Sequence, residues 1–196
     1  MAQATDPAGS NDPLTFQFDC DNNGSYETPA YPNTSSADCS FDDNGSYTVG
    51  VQVSDGDGGV ATGSITVVVL NVPPTAFLPN PAPVNEGSPA TLTFENQGDP
   101  SGADHSAGFH YSFACDGLDA SLATSYAASG ASASANCTYF DNGLYTVKGR
   151  IFDKDEGNNT YAATVTVNNV APVVNAGADQ AVNEGPTLVP TPGRAP

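Results

Sequence analysis

Between positions 45 and 70 the chain alternates like two strands. Tyr47, Val49, Val51 and Val53 are apolar, and Thr48, Gly50, Gln52 and Ser54 between them are small or polar. That is the period of a strand with one buried face. Ser64-Ile65-Thr66-Val67-Val68-Val69 follows as a β-branched run suited to a second strand. The pattern returns later in the chain. Tyr145 and Val147 alternate towards Ile151, with Gly149 interrupting, and Ala163-Thr164-Val165-Thr166-Val167 supplies the second run. Glycine- and aspartate-rich turns lie between, and Asn-Gly at 44–45 and at 142–143 marks a tight turn. No stretch carries a helical apolar period of useful length. With 20 glycines, 16 prolines and only short strands, the pattern predicts an all-β sandwich.

The recurrence has a fixed period. Asn44-Gly45-Ser46-Tyr47-Thr48-Val49 reappears 98 positions on as Asn142-Gly143-Leu144-Tyr145-Thr146-Val147. Asp55-Gly56-Asp57-Gly58-Gly59 and Asp153-Lys154-Asp155-Glu156-Gly157 keep the same spacing, as do Asn71-Val72-Pro73-Pro74 and Asn169-Val170-Ala171-Pro172. Val84-Asn85-Glu86-Gly87 and Val182-Asn183-Glu184-Gly185 keep it too. From Cys20 to Cys115 the offset falls to 95, because the spacer to the next cysteine is 18 residues in one copy and 21 in the other. Drift confined to a loop within a fixed period is the signature of an array. Each period is near the size of an immunoglobulin-like sandwich, about 100 residues. Tyr47 and Tyr145 read as the tyrosine corners of such units.

Asp-Asn-Gly-x-Tyr-Thr-Val, then alternating valines, then Asp-x-Asp-x-Gly, then a Thr/Val strand ending in Asn-x-x-Pro, resembles the PKD (polycystic kidney disease) domain family. The resemblance covers nearly the whole chain. It implies tandem immunoglobulin-like (PKD-type) β-sandwiches, found in surface proteins and as spacers in secreted enzymes. One feature departs from the family. Its frequent Trp-Asp-Phe-Gly-Asp-Gly stretch is replaced by Phe18-Asp19-Cys20-Asp21-Asn22-Asn23-Gly24 and Phe113-Ala114-Cys115-Asp116-Gly117.

A unit of this family starts at the Asn-x-x-Pro linker, so the copies are cut out of phase. Residues 1–72 read as an incomplete unit lacking its first two strands, residues 73–170 as a complete one, and residues 171–196 as the first strands of a further unit. A sandwich missing two strands leaves apolar surface and an unpaired edge. The missing piece lies at the other end of the same chain, with a whole unit between, so the expectation is donation to a neighbouring copy, head to tail. Covalent continuity within a longer tandem array satisfies the same register. No signal peptide is legible, and the chain reads as a processed segment or a piece of something longer.

Charge narrows the partners. Twenty-two acidic residues against four basic give a net charge of −18. No basic patch exists for nucleic acid or an anionic membrane surface, and no apolar run approaches a membrane span. The four cysteines allow three connectivities, and the repeat pairs Cys20 with Cys39 and Cys115 with Cys137. Disulfides place the chain at the cell surface or in the extracellular space.

Strong negative charge calls for cations, and calcium is the expected one. Asp19, Asp21 and Asn23 place oxygen ligands at alternate positions before a glycine. The strand order sends that loop towards the linker at Asn71, beyond which lies the next unit's turn with Asp153, Asp155 and Glu156. Carboxylates of two units would meet at one junction; the plain alternative is solvated turn aspartates. Five Asn-x-Ser/Thr sequons occur, and Asn33 and Asn158 are the glycosylation candidates free of a turn role. His105 and His110 have no nucleophile or ligand cluster in sequence reach. No catalytic motif is legible, so the chain is not expected to be an enzyme. Two function classes remain: a structural repeat protein, the unit of a filament or surface array, and an accessory carbohydrate- or protein-binding spacer of a secreted enzyme or adhesin. A surface glycan is the ligand that the second class would take, although the absence of Trp leaves little for sugar stacking.

Overall fold

The computed structural model describes residues 2–27, 31–32 and 35–177, together with 179, 181, 184 and 185. The first part is a single antiparallel sheet of β1 (Thr15–Asp19), β2 (Tyr31–Pro32), β3 (Gly45–Ser54) and β4 (Val60–Val69), in the order β2-β1-β3-β4. The second part is a sandwich. It contains β5 (Thr75–Phe77), β6 (Val84–Asn85), β7 (Pro89–Thr93), β8 (Glu95–Gly98), a short helix α1 (Gly102–Ala107), β9 (His110–Ala114), β10 (Ser134–Thr138), β11 (Gly143–Phe152) and β12 (Asn158–Asn168). One sheet runs β6-β12-β11-β9, and β10-β7 and β5-β8 are two-stranded ladders. Among the described residues only β6 pairs in parallel, along β12.

The alternation read from the sequence sets the core. Leu92 on β7, Val147 and Ile151 on β11 and Val165 on β12 are fully buried between the layers. The ring of Phe94 meets those of Tyr111, Phe113 and Tyr161. Gly149, which breaks the alternation on β11, lies under that ring. A methyl group there would come within 2.7 Å of Phe94 Cζ and 3.2 Å of Leu78 Cδ2. The helix α1 shows no apolar period because it is barely two turns long. It is set by a Ser101 hydroxyl that accepts the Asp104 N–H (3.1 Å) and by Gly108 at φ 85° after it.

The two parts are copies of the same sheet. β3 and β4 correspond to β11 and β12 at 98 residues, and β1 to β9 at 95. Tyr47 donates to Asp43 O at 2.9 Å and Tyr145 to Asp141 O at 3.0 Å, the same corner twice. Both disulfides follow the repeat: Cys20–Cys39 with Cα atoms 5.6 Å apart, and Cys115–Cys137 with 5.5 Å.

They differ in what covers the sheet. In the second unit β10 pairs with β7 from Ser134↔Thr93 to Thr138↔Pro89. Its counterpart in the first unit, residues 36–40, forms no strand. Among the described residues no strand stands where β7 would be; only Ala2 reaches that edge, its N–H donating to Ser35 O (2.7 Å) as that of Phe94, just after β7, donates to Ala133 O (2.9 Å). The facing side chains are correspondingly open. Ile65 is 60 % exposed, whereas Ala163 at the same register is 4 % exposed. Phe18, Cys39, Val49, Val51, Ile65 and Val67 line a concavity of about 390 Å³ on that face. After β12 the described residues form no strand, and Val173 and Val174 stand 95 % and 87 % exposed. The second strand expected up to Leu188 lies outside the described residues.

Candidate metal centre at the junction between the units

The turn joining β11 to β12 folds around one carboxylate. Asp153 Oδ1 accepts the N–H groups of Asp155 (2.9 Å) and Gly157 (2.8 Å), and the Asp153 N–H donates to Gly157 O (3.0 Å). Gly157 is required here because any Cβ would collide with Asp153 Oδ2 and with Asn71 Nδ2. The other oxygen, Oδ2, accepts from Asn71 Nδ2 at 3.0 Å, so the linker reaches into the next unit's turn. Asp153 is completely buried as a result.

Two further carboxylates arrive, Asp99 from just after β8 and Asp104 from the first turn of α1. Asp99 Oδ1 accepts the Ser101 N–H at 2.8 Å, which aims Oδ2 inward without a hydrogen-bond partner. Asp104 is the N-terminal acid of α1 and is fully buried. One oxygen each from Asp99, Asp104 and Asp153 lie within 4.8 Å of one another.

A lysine stands on the far side of Asp104. Lys154 Nζ donates to Asp43 at 2.8 and 2.7 Å and also to Asp155, and it lies 3.3 Å from Asp104 Oδ1. The Asp155 and Asp43 carboxylates push the Lys154 pKa upward, and Lys154 holds Asp43 below the usual carboxylate range. Asp42 Oδ1 accepts the Gly102 N–H at 2.9 Å. Asp42, Asp43 and Asn71 thus tie the first unit and the linker to the head of the second.

Of the residues singled out in the sequence, Asn71 and Asp153 meet here, and Asp155 joins the Lys154 group. Glu156 does not. At φ 71° its carboxylate turns away and accepts the Tyr126 N–H at 2.8 Å. Asp19, Asp21 and Asn23 form a separate group. β1 does end at the linker's pole, since Asp19 pairs with Gly50 and Val69 with Gly45. But Asp19 closes its own loop by accepting the N–H groups of Asn23 (3.1 Å) and Gly24 (2.8 Å), and Asp21 accepts from Asn23 Nδ2 (2.8 Å). The third acid there is Glu27, which accepts the Cys20 N–H at 2.6 Å. Asn158 is exposed at the start of β12, with Nδ2 donating to Glu156 O (3.0 Å), and Asn33 lies outside the described residues.

Sequence reasoning missed Asp43, Asp99 and Asp104. It also missed a matching trio in the first unit: Asp6, Asp12 and Asp55 bring one oxygen each within 4.8 Å. Asp55 is held as Asp153 is, accepting from Asp57 (2.9 Å) and Gly59 (2.8 Å). Asp6 accepts the Ala8 N–H (2.7 Å) as Asp99 accepts that of Ser101. Lost solvation and the charges of Asp55, Asp57 and Asp6 push the Asp12 carboxyl up. The available signal was Asp-Pro-x-Gly, at Asp6–Gly9 and again at Asp99–Gly102.

Comparison with protein-family profiles and with curated protein sequences finds no match. Among solved structures, the chain is similar to the fibronectin(III)-like modules of Clostridium thermocellum CbhA, at 17 % identity and a TM-score of 0.38 over 82 % of this chain and 81 % of that one. Drosophila N-cadherin EC1-3 is similar at 16 % identity and a TM-score of 0.34, over 86 % of this chain and 59 % of the other. The human desmocollin-1 ectodomain follows at 18 % and 0.31, over 81 % and 30 %.

Proposed function

We propose that this chain is a non-catalytic structural repeat protein of the extracellular space, the unit of a head-to-tail array of PKD-type domains. In this reading residues 171–196 supply the first strands of a unit whose remaining strands are residues 15–69 of the next copy. The observation that carries it is the missing ladder. Residues 36–40 have the sequence position of β10 but no strand, because β10 pairs with β7 and the first unit has no β7 among the described residues. The tail carries the counterparts at the repeat spacing: Val173-Val174 for β5, Val182-Asn183 for β6 and 187–191 for β7.

Side-chain volumes support the exchange. Leu78, which presses on Gly149 together with Phe94, has a smaller counterpart in Ala176, and the place of Phe94 is taken by Ala2, whose N–H donates to Ser35 O (2.7 Å) as that of Phe94 donates to Ala133 O (2.9 Å). The residues that would face them are larger, with Val51 in place of Gly149 and Ile65 in place of Ala163. Small residues facing larger ones keep a packed core at constant volume. The disulfides fit an oxidising compartment, and among the described residues no helix is long and apolar enough to cross a membrane. Calcium is the counter-ion we assign to the junctions, and copies of the chain are its partners.

The test pairs electron microscopy with gel mass. Filaments that dissociate in SDS to a band near 19.9 kDa are expected for non-covalent strand exchange. An Ile65→Lys variant should leave the fold intact and abolish the filaments. Isolated two-unit beads at high protein concentration, with or without calcium, overturn the reading.

A further inference from the structure

The second unit's junction contains more buried negative charge than its protein partners answer. Asp153 is satisfied by two backbone N–H groups and Asn71. Asp104 is not. It is fully buried, its Oδ2 has no hydrogen-bond partner, and its Oδ1 has only the Lys154 ammonium at 3.3 Å. Asp99 Oδ2 is also buried and unpartnered. Lys154 is already shared with Asp43 and Asp155. A buried carboxylate without a counter-charge is among the most costly features a fold can hold.

The spacing identifies the missing partner. Oxygens within 4.8 Å of one another fit around a single ion whose ligand distances are about 2.3–2.6 Å. The donors are all oxygen, which suits a hard divalent cation and not a soft, thiolate-seeking metal. They come from a turn, a strand end and a short helix, an adaptable set that favours calcium over the stricter octahedron of magnesium. The arrangement belongs to the repeat, because Asp6, Asp12 and Asp55 reproduce it with the same backbone cradles in the first unit.

We infer that Asp99, Asp104 and Asp153 bind one divalent cation, calcium by their chemistry, and that Asn71 orients Asp153 towards it from the linker. This deepens the cation part of the proposed function and does not depend on strand exchange. The ion would stiffen the linker, since Asn71 is held by a ligand of the following unit.

The experiment is calorimetric titration of calcium chloride into the full chain after treatment with a chelator, at moderate salt. Wild type should show a saturable site. Asp104→Asn and Asp99→Asn should each weaken it by at least about tenfold, because affinity follows ligand charge. Asp21→Asn, in the separate Asp19–Glu27 group, should leave it unchanged. Circular dichroism establishes that each variant folds, and if Asp104→Asn does not, Asp99→Asn decides. Absence of a saturable site in wild type, or equal affinity in the folded Asp99→Asn variant, overturns the inference. Calcium binding by isolated beads would keep the site and sink the assembly; filaments indifferent to calcium would do the reverse.

Discussion

Replacing Gly149 by alanine tests the packing on which the volume argument stands. The new methyl group would lie 2.7 and 2.8 Å from two Phe94 ring carbons and 3.2 Å from Leu78 Cδ2. Both neighbours are buried, so neither can swing into solvent. Overpacking of this kind costs about 1–3 kcal/mol. Removing a strand glycine returns about 0.5–1 kcal/mol of backbone entropy. The net expectation is a loss of about 1 kcal/mol, or a melting temperature lower by roughly 4–8 °C for a unit of this size. Denaturant and thermal unfolding of the full chain, followed by tyrosine fluorescence, would measure it. Adding Phe94→Leu should make the alanine less harmful than it is alone, an interaction that a double-mutant cycle detects. A neutral or stabilising Gly149→Ala, or strict additivity with Phe94→Leu, would refute the claim that ring and glycine are matched. The claim that Val51 awaits a smaller partner would fall with it.

Other expectations are simpler to check. Tyr145→Phe removes the hydroxyl bond to Asp141 O and should cost about 1 kcal/mol in denaturant unfolding. A Cys115→Ser, Cys137→Ser pair opens a loop closed at a separation of 22 residues and should lose about 3 kcal/mol, read as a shifted urea midpoint. The Asp43–Lys154 bridge sets a pH window. Asp43 titrates below its ordinary value of 3.8, so its contribution is present above that value and disappears as pH falls through the lowered one. Lys154 titrates above 10.5, so its contribution is full below that value and disappears as pH rises through the raised one. Lys154→Met should flatten the stability profile at both ends; an unchanged profile would show that the bridge is inert.

The strands with the strongest alternation were legible from the sequence. β3, β4, β11 and β12 stand where the valines and threonines put them, and the cysteines pair as the repeat implies. Asn71 and Asp153 could be brought together from the sequence because the strand order sends the linker to the pole where the next unit's turn lies. Asp99 and Asp104 could not. Their counterparts Asp6 and Asp12 lie 93 and 92 residues earlier, so a search at fixed period passes over them. Their burial also depends on α1, whose signal is a serine cap and a closing glycine and not a hydrophobic stripe. The Asp19–Glu27 loop brings its acids together as its spacing suggests, but apart from this junction. Its spacing looks like a ligand loop, yet its oxygens are largely engaged by its own backbone.

The parallel pairing of β6 with β12 gives the unit a mechanical character. Val84 lies opposite Val167 and Asn85 opposite Asn168. The Glu86 N–H reaches Asn168 O at 3.0 Å, and the Glu86 carboxylate accepts the Val170 N–H at 2.8 Å. The chain enters the unit on β6's side and leaves it from β12. A pull on the two ends of the unit therefore draws these two strands past each other lengthwise. The ladder and the two Glu86 bonds carry load at once, instead of opening one after another as in a peeled hairpin. Tension would meet a clasp at the exit of this unit, and the disulfide behind it leaves little slack.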